Sequence, residues 1–86
     1  MRFFTLLTWK PERAKEVTER FRKWTAPAGL KWILPPHTIL GKNQTVSIVE
    51  TDDPVVLAKV DRAWRDIATF ESLPIMDSRE IMKIEP

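Results

Sequence analysis

The chain has 86 residues, of which 43% are hydrophobic, and a formal net charge of +2. This balance predicts one folded domain over residues 1–86 and excludes a disordered chain. One histidine, no cysteine and two glycines exclude zinc fingers, thiol catalysis and glycine-rich phosphate loops, so neither a metal nor a cofactor is expected.

The first part of the chain predicts a strand and then a helix. The apolar run in residues 2–9 is too short for a membrane span and lacks a leader cleavage site, so it predicts the first strand. Pro11 suits the first position of a helix, which Pro27 and Gly29 end. The apolar positions of this helix form one stripe: Ala14, Val17, Phe21 and Trp24.

Two further strands follow, joined by a hairpin. Residues 30–40 predict the second strand, and the Pro35-Pro36 pair requires an edge position or a bulge because proline cannot donate to the ladder. The segment Gly41-Lys42-Asn43 predicts the turn. Residues 45–49 are rich in β-branched side chains, which predicts a third strand inside the sheet.

A second helix and a last strand complete the chain. Asp53 is expected to cap the helix, with Pro54 at its first position. Its expected buried stripe is Val56, Leu57, Val60, Ala63, Trp64 and Ile67. After Pro74, the segment Ile75 to Ile84 predicts the last strand.

The resulting order, βαββαβ, predicts an α+β ferredoxin-like sandwich with a four-stranded antiparallel sheet in the order 4-1-3-2 and both helices on one face. The first and last predicted strands are apolar on both faces, so the second face of the sheet needs a cover. A second copy, packed sheet against sheet, is the expected cover. Nucleic acid is not expected, because the third strand has no aromatic residue for base stacking.

The sequence also resembles a known family. The resemblance covers most of the chain, and its most specific part is Val49-Glu50-Thr51-Asp52-Asp53-Pro54 followed by Trp64-x-Asp66. These residues resemble the domain of unknown function family numbered 3303, which looks like a branch of the dimeric α/β-barrel superfamily. The resemblance implies a homodimer and a ligand site between the sheet and the helices. Related barrel families include cofactor-free monooxygenases and isomerases.

Four tryptophans are candidates for lining such a ligand pocket, because aromatic rings provide apolar area and stacking. The expected pocket residues are Trp9, Trp32 and Trp64. Trp24 is a fourth candidate, and the helical spacing of Trp24 and Trp64 is equally consistent with a role in the core.

His37 and Glu50 are the candidate catalytic residues. Histidine is the residue type that ordinarily gains or loses a proton near neutral pH, and His37 is the one histidine of the chain. Glu50 ends the third strand with the parity of Val46 and Ile48, so its carboxylate is expected on their apolar face. The hairpin length decides which face His37 occupies: pairing with Ser47 gives one face and pairing with Ile48 the other. Asp53 is explained by capping, so no metal is expected there.

The sequence therefore predicts a cytoplasmic homodimer, not bound to a membrane, that holds a small apolar or aromatic molecule. If the protein is an enzyme, cofactor-free isomerisation or oxygenation is expected, with His37 as acid or base and Glu50 assisting. The alternative is a non-catalytic ligand-sensing or protein-interaction domain. The scarcity of side-chain amides and the seven prolines favour a thermophilic source.

Overall fold

The computed structural model describes residues 1–84, which form an α+β domain with four strands in a single antiparallel sheet. The strands are β1 (Arg2–Thr8), β2 (Lys31–Thr38), β3 (Gln44–Glu50) and β4 (Thr69–Ile75). The helices are α1 (Ala14–Lys23), preceded by a 3-10 turn at Pro11–Arg13, then α2 (Pro54–Trp64) and a short α3 (Ser78–Ile81). Within this range no helix is long and apolar enough to cross a membrane.

The sheet has the strand order β2-β3-β1-β4, which is 4-1-3-2 read from the opposite edge. The proline-containing β2 lies at one edge, as the Pro35-Pro36 pair predicts. It also carries two irregularities, between Trp32 and Leu34 and between Leu34 and His37, and the second of them contains the two prolines. The interior position predicted for the third strand is confirmed. The turn before it uses Gly41 at a φ of 80°, a conformation that L side chains rarely adopt.

The prediction for the last strand is wrong. The strand is Thr69–Ile75, and the segment after Ile75 forms the short helix α3 instead of continuing the sheet. The chain enters β4 soon after α2 ends, and Asp77 caps α3 by accepting a hydrogen bond from the Arg79 backbone N–H at 2.8 Å. Pro74 falls inside β4, where it is tolerated because an edge strand has a neighbour on one side only.

The two long helices begin and end close to their predicted positions. The Asp53 carboxylate accepts a hydrogen bond from the Val55 backbone N–H at 3.0 Å, so Asp53 is the N-cap of α2, with Pro54 at its first position. This confirms the predicted cap. A matching side-chain cap is absent from the first turn of α1 in the described chain, where the preceding 3-10 turn provides the entry instead.

Both long helices pack against the same face of the sheet. The buried core cluster contains Leu7 of β1, Val17 of α1, Val60 and Trp64 of α2, and Ile67 just after α2. We call this side of the sheet the core face. The side chains that alternate with it point away from the helices and form the open face.

Candidate functional site

A small cavity lies between the core face and the two long helices. Its volume is about 40 Å³, enough for more than one water molecule, which needs roughly 10–15 Å³ measured in this way. A second cavity of about 20 Å³ adjoins it. Both are lined by Thr5, Trp32, Ser47, Val60 and Phe70. The packing between the sheet and the helices therefore leaves a small cleft, partly open to solvent, at this place.

Three aromatic rings form the helix-side wall of the cavity. Phe21 lies in the last turn of α1, Trp24 is the C-cap residue directly after that helix, and both rings meet Trp64 of α2. The ring centroids of Phe21 and Trp64 are 5.3 Å apart, and those of Trp24 and Trp64 are 5.8 Å apart. These are ordinary separations for tilted and edge-to-face pairs, which contribute beyond the area that they bury. The wall is therefore a packed cluster and not a set of loose rings.

Arg20 holds this wall from the outside. Its guanidinium lies 5.7 Å from the centre of a Trp64 ring and donates to the Ala63 carbonyl at 2.9 Å. It also donates to both carboxylate oxygens of Asp66, at 2.6 and 2.8 Å. This bidentate contact lowers the pKa of Asp66 below its ordinary value, chiefly through the hydrogen bonds. Arg20 therefore ties α1 to the end of α2 directly behind the cavity.

The sheet side of the cavity contains buried hydroxyl groups. Thr5, Thr45 and Ser47 lie on the core face, and each exposes less than a tenth of its surface. The Thr5 and Ser47 hydroxyls form a hydrogen bond with each other, and the Thr45 hydroxyl lies 3.2 Å from that of Thr38. A hydroxyl has one donor and two acceptor sites, so these groups retain unused acceptor capacity. We call these three residues the hydroxyl floor.

Among residues 1–84, the cavity lining includes no charged side chain. Aromatic rings on one side and hydroxyls on the other suit a neutral molecule with an apolar body and at most a few polar atoms. An anion or cation would lose its hydration without gaining a partner of opposite charge. The arrangement therefore selects for uncharged ligands.

Two of the three tryptophans predicted for the pocket lie at this cavity. Trp32 reaches it from β2, where it pairs with Val49 on the core face, and Trp64 reaches it from α2. Trp24 lines it as well. Trp9 does not: it lines a wide open groove at the end of β1, and its buried indole N–H has no hydrogen-bond partner within the described residues.

The two candidate catalytic residues lie elsewhere. His37 pairs with Val46, which has the same parity along β3 as Ile48, so His37 belongs to the open face. It is exposed, and its Nδ1 donates to the Pro35 carbonyl at 2.6 Å. Glu50 lies four residues beyond Val46 along β3, which places it about 13 Å further down the strand. The structure brings His37 and Glu50 neither together nor to the cavity, and their catalytic role stays a prediction.

The open face has a regular arrangement that follows from the strand register. A central apolar patch runs across all four strands: Leu34 of β2, Val46 and Ile48 of β3, Phe4 and Leu6 of β1, and Leu73 of β4. Charged residues flank this patch. Arg2, Lys31 and Glu50 lie beside each other at one end, while His37 and Glu71 lie on the two edge strands in the row of Val46 and Leu6.

Within residues 1–84, the structure shows no group of three or more His, Asp or Glu side chains placed to hold a metal ion. Of the adjacent pair Asp52 and Asp53, the second caps α2. The first accepts from the amino group of Met1 at 3.3 Å. Both carboxylates thus have local partners.

Comparison with known proteins gives a family but no function. A family model described as "Domain of unknown function (DUF3303)" matches residues 1–86. No curated protein and no solved structure matches the chain. The match spans every element described above and carries no activity with it, so a function has to be inferred from the chain's own residues.

Proposed function

The chain belongs to the DUF3303 family, and from its own residues we propose that it binds a small, neutral, apolar or aromatic molecule in the cavity between its sheet and its helices. The observation that carries this proposal is the unfilled space between an aromatic wall and the hydroxyl floor. Small domains rarely leave such space, because a cavity sacrifices packing contacts. The two spaces, of about 40 and 20 Å³, are smaller than the roughly 150 Å³ of a cavity that takes benzene. An aromatic ligand would therefore have to displace a lining side chain before it could restore those contacts.

We also propose that the subunit is a ferredoxin-like sandwich and that it forms a homodimer. The element order and the placement of α1 and α2 on one face support a ferredoxin-like sandwich. The apolar patch of the open face, which is partly exposed in the single subunit, supports a homodimer that packs sheet against sheet, as in the dimeric α/β barrels, because contiguous apolar surface of this kind marks an interaction site. Nucleic acid is a weaker candidate for this surface, since β3 presents no aromatic side chain.

Binding is favoured over catalysis by one observation. The polar groups at the cavity are hydroxyls, and none of them has a histidine or carboxylate beside it that could accept a proton. The second candidate function is therefore non-catalytic: a domain that senses a ligand or binds a partner protein. A cofactor-free isomerase or monooxygenase is the enzymatic form of the proposal, and it requires His37 or Glu50 to reach the ligand from the opposite face.

The binding proposal can be tested with three aromatic probes of similar size. Trp24, Trp32 and Trp64 line the cavity, so a bound molecule should change tryptophan fluorescence, and calorimetry can confirm the affinity. We expect toluene to bind, phenol to bind more tightly through the hydroxyl floor, and benzoate to bind weakly because its charge is not compensated. The proposal fails if none of the three binds at millimolar concentration.

A cavity-filling substitution gives a sharper test. Val60→Ile adds one methyl group at a residue that lines both cavities, and we expect it to weaken toluene and phenol binding by about tenfold, the usual effect of one carbon in an apolar pocket. Calorimetric titration measures this change. Val17→Ile is the matched control, because Val17 is equally buried but lines neither cavity. Equal losses in the two variants would contradict the assignment.

The position of His37 leads to a separate prediction. His37→Ala should leave the affinity for phenol unchanged within about twofold, because the imidazole lies on the face of the sheet opposite to the cavity. The stability of the single subunit should also change little, since the side chain is exposed there. A large loss of phenol affinity in this variant would place His37 at the ligand after all and would revive its predicted catalytic role.

A further inference from the structure

The register of the sheet fixes which residues of the open face lie side by side. One row contains Lys31, Glu50, Arg2 and Ile75, in the order β2-β3-β1-β4. The next row contains Leu34, Ile48, Phe4 and Leu73, and the third contains His37, Val46, Leu6 and Glu71. A fourth row ends the sheet with Gln44, Thr8 and Thr69. Any partner of this face must match these rows.

A second copy can match them in two ways that keep the two sheets aligned. Symmetric dimers use the same surface on both subunits, related by a two-fold axis. The axis can lie in the plane between the sheets either along the strands or across them. The two choices bring different residues of the two subunits into opposition, so the charges on the open face discriminate between them.

An axis across the strands brings chemically unlike residues of the two subunits opposite each other. It reverses the order of the rows, so the charged row meets the fourth row, with Arg2 opposite the partner's Thr8 and Glu50 opposite the partner's Gln44. It also places Glu71 opposite the partner's Leu73. A carboxylate covered by an apolar side chain loses hydration without compensation, which disfavours this arrangement.

An axis along the strands preserves the rows and exchanges the columns. β3 then lies over β1 of the partner, and β2 lies over β4. Glu50 meets the partner's Arg2, and His37 meets the partner's Glu71. Lys31 meets the partner's Ile75 at the sheet edge, where the long lysine side chain can keep its ammonium group in water. The apolar patch is opposed to itself, with Ile48 over the partner's Phe4 and Leu34 over the partner's Leu73.

We therefore propose that two copies of this chain pair through the open face about a two-fold axis parallel to the strands. At one end of this interface Arg2 and Glu50 of both subunits form a square of four alternating charges. Such complementarity fixes the register of a dimer and suppresses other pairings more than it adds affinity. The inference rests on the proposed homodimer, and it gives His37 a position in the interface, opposite an acidic side chain.

Charge-reversal variants test the axis directly. Arg2→Glu makes the charged square wholly negative in a homodimer, and Glu50→Arg makes it wholly positive. Each homodimer should dissociate about tenfold more readily or worse than the wild type, because like charges face each other. When the two variants are mixed, each glutamate of one subunit faces an arginine of the other, and native mass spectrometry should show the heterodimer in large excess over the roughly one-half share expected from random pairing.

The same mixing experiment can be made with the charged residues of the third row. His37→Glu mixed with Glu71→Lys should also favour the heterodimer, through residues on β2 and β4 instead of β1 and β3. The control pair is Glu19→Arg and Lys23→Glu, which are exposed on α1, away from the open face, and should mix at random. Thermal unfolding of each variant checks that it is folded.

The outcomes separate the inference from the proposed function. An excess of heterodimer in both exchanges supports the axis along the strands. Stable variant homodimers that mix at random overturn this axis but leave the homodimer in place. A wild-type protein that is monomeric by native mass spectrometry at micromolar concentration overturns the homodimer, and the inference with it.

Discussion

Trp64→Ala is expected to lower the free energy of unfolding by about 3–5 kcal/mol, the usual cost of removing a large aromatic side chain from a core. Trp64 is only 2% exposed, and its ring contacts Phe21, Trp24 and the guanidinium of Arg20. A domain of this length has a stability near the lower end of the usual range of roughly 5–15 kcal/mol. The substitution should therefore leave much of the protein unfolded.

Urea unfolding followed by far-ultraviolet circular dichroism measures this effect. Trp64→Phe keeps an aromatic ring in the cluster and should recover a large part of the lost stability. Trp9→Phe is a control at a tryptophan that packs against the core cluster but not in the aromatic wall. It should cost less than Trp64→Ala, because it keeps an aromatic ring and removes a buried indole N–H that has no partner among residues 1–84. If Trp64→Ala and Trp9→Phe unfold at the same urea concentration, the aromatic wall is not the centre of the core.

Leu6→Lys is expected to weaken the proposed homodimer about 100-fold or more. Leu6 lies on a central strand in the apolar patch, next to Val46 of β3, so a lysine there would place an ammonium group in the middle of the interface. Sedimentation velocity over a range of concentrations measures the change. The control is Leu40→Lys, the same substitution at a turn residue that is 94% exposed, and it should leave the dimer intact.

A second variant distinguishes a loss of dimerisation from a loss of folding. Leu73 lies in the same patch but on the edge strand β4, and it is 53% exposed within one subunit, so Leu73→Lys should leave the subunit fold intact. It should still weaken the dimer, by less than Leu6→Lys because its position is further from the centre. Unchanged association in both variants would show that the open face is not the dimer surface.

Most of the secondary structure could be predicted from local signals. Pro11, Asp53 and Pro54 marked the starts of the helical segments, and the Gly41 turn marked the hairpin, because each of these residue types has a preference that depends only on its own backbone. The last strand was placed too late because the apolar residues after Pro74 outnumber those before it. Strand position depends on pairing with β1, and no local pattern contains that information.

The candidate site was only partly predictable for a related reason. Trp32 and Trp64 were expected at the pocket because large aromatic side chains mark buried apolar space wherever it lies. The hydroxyl floor was missed, although Thr5, Thr45 and Ser47 have the parity of buried positions on their strands, and this alternation was the available signal. The face of His37 depended on the hairpin register, which the two irregularities in β2 complicate.

The prolines of the sheet have a consequence for how this protein assembles. Both outer strands contain proline, at Pro35 and Pro36 on β2 and at Pro74 on β4. An outer strand normally offers a row of free backbone donors and acceptors on which another chain can add itself, and repeated addition produces fibrils. Each proline deletes a donor and stiffens the backbone, so growth by strand addition is blocked at both margins. In the proposed homodimer, association would then use only the open face, which two molecules cover completely, and a closed dimer would be favoured over an open polymer.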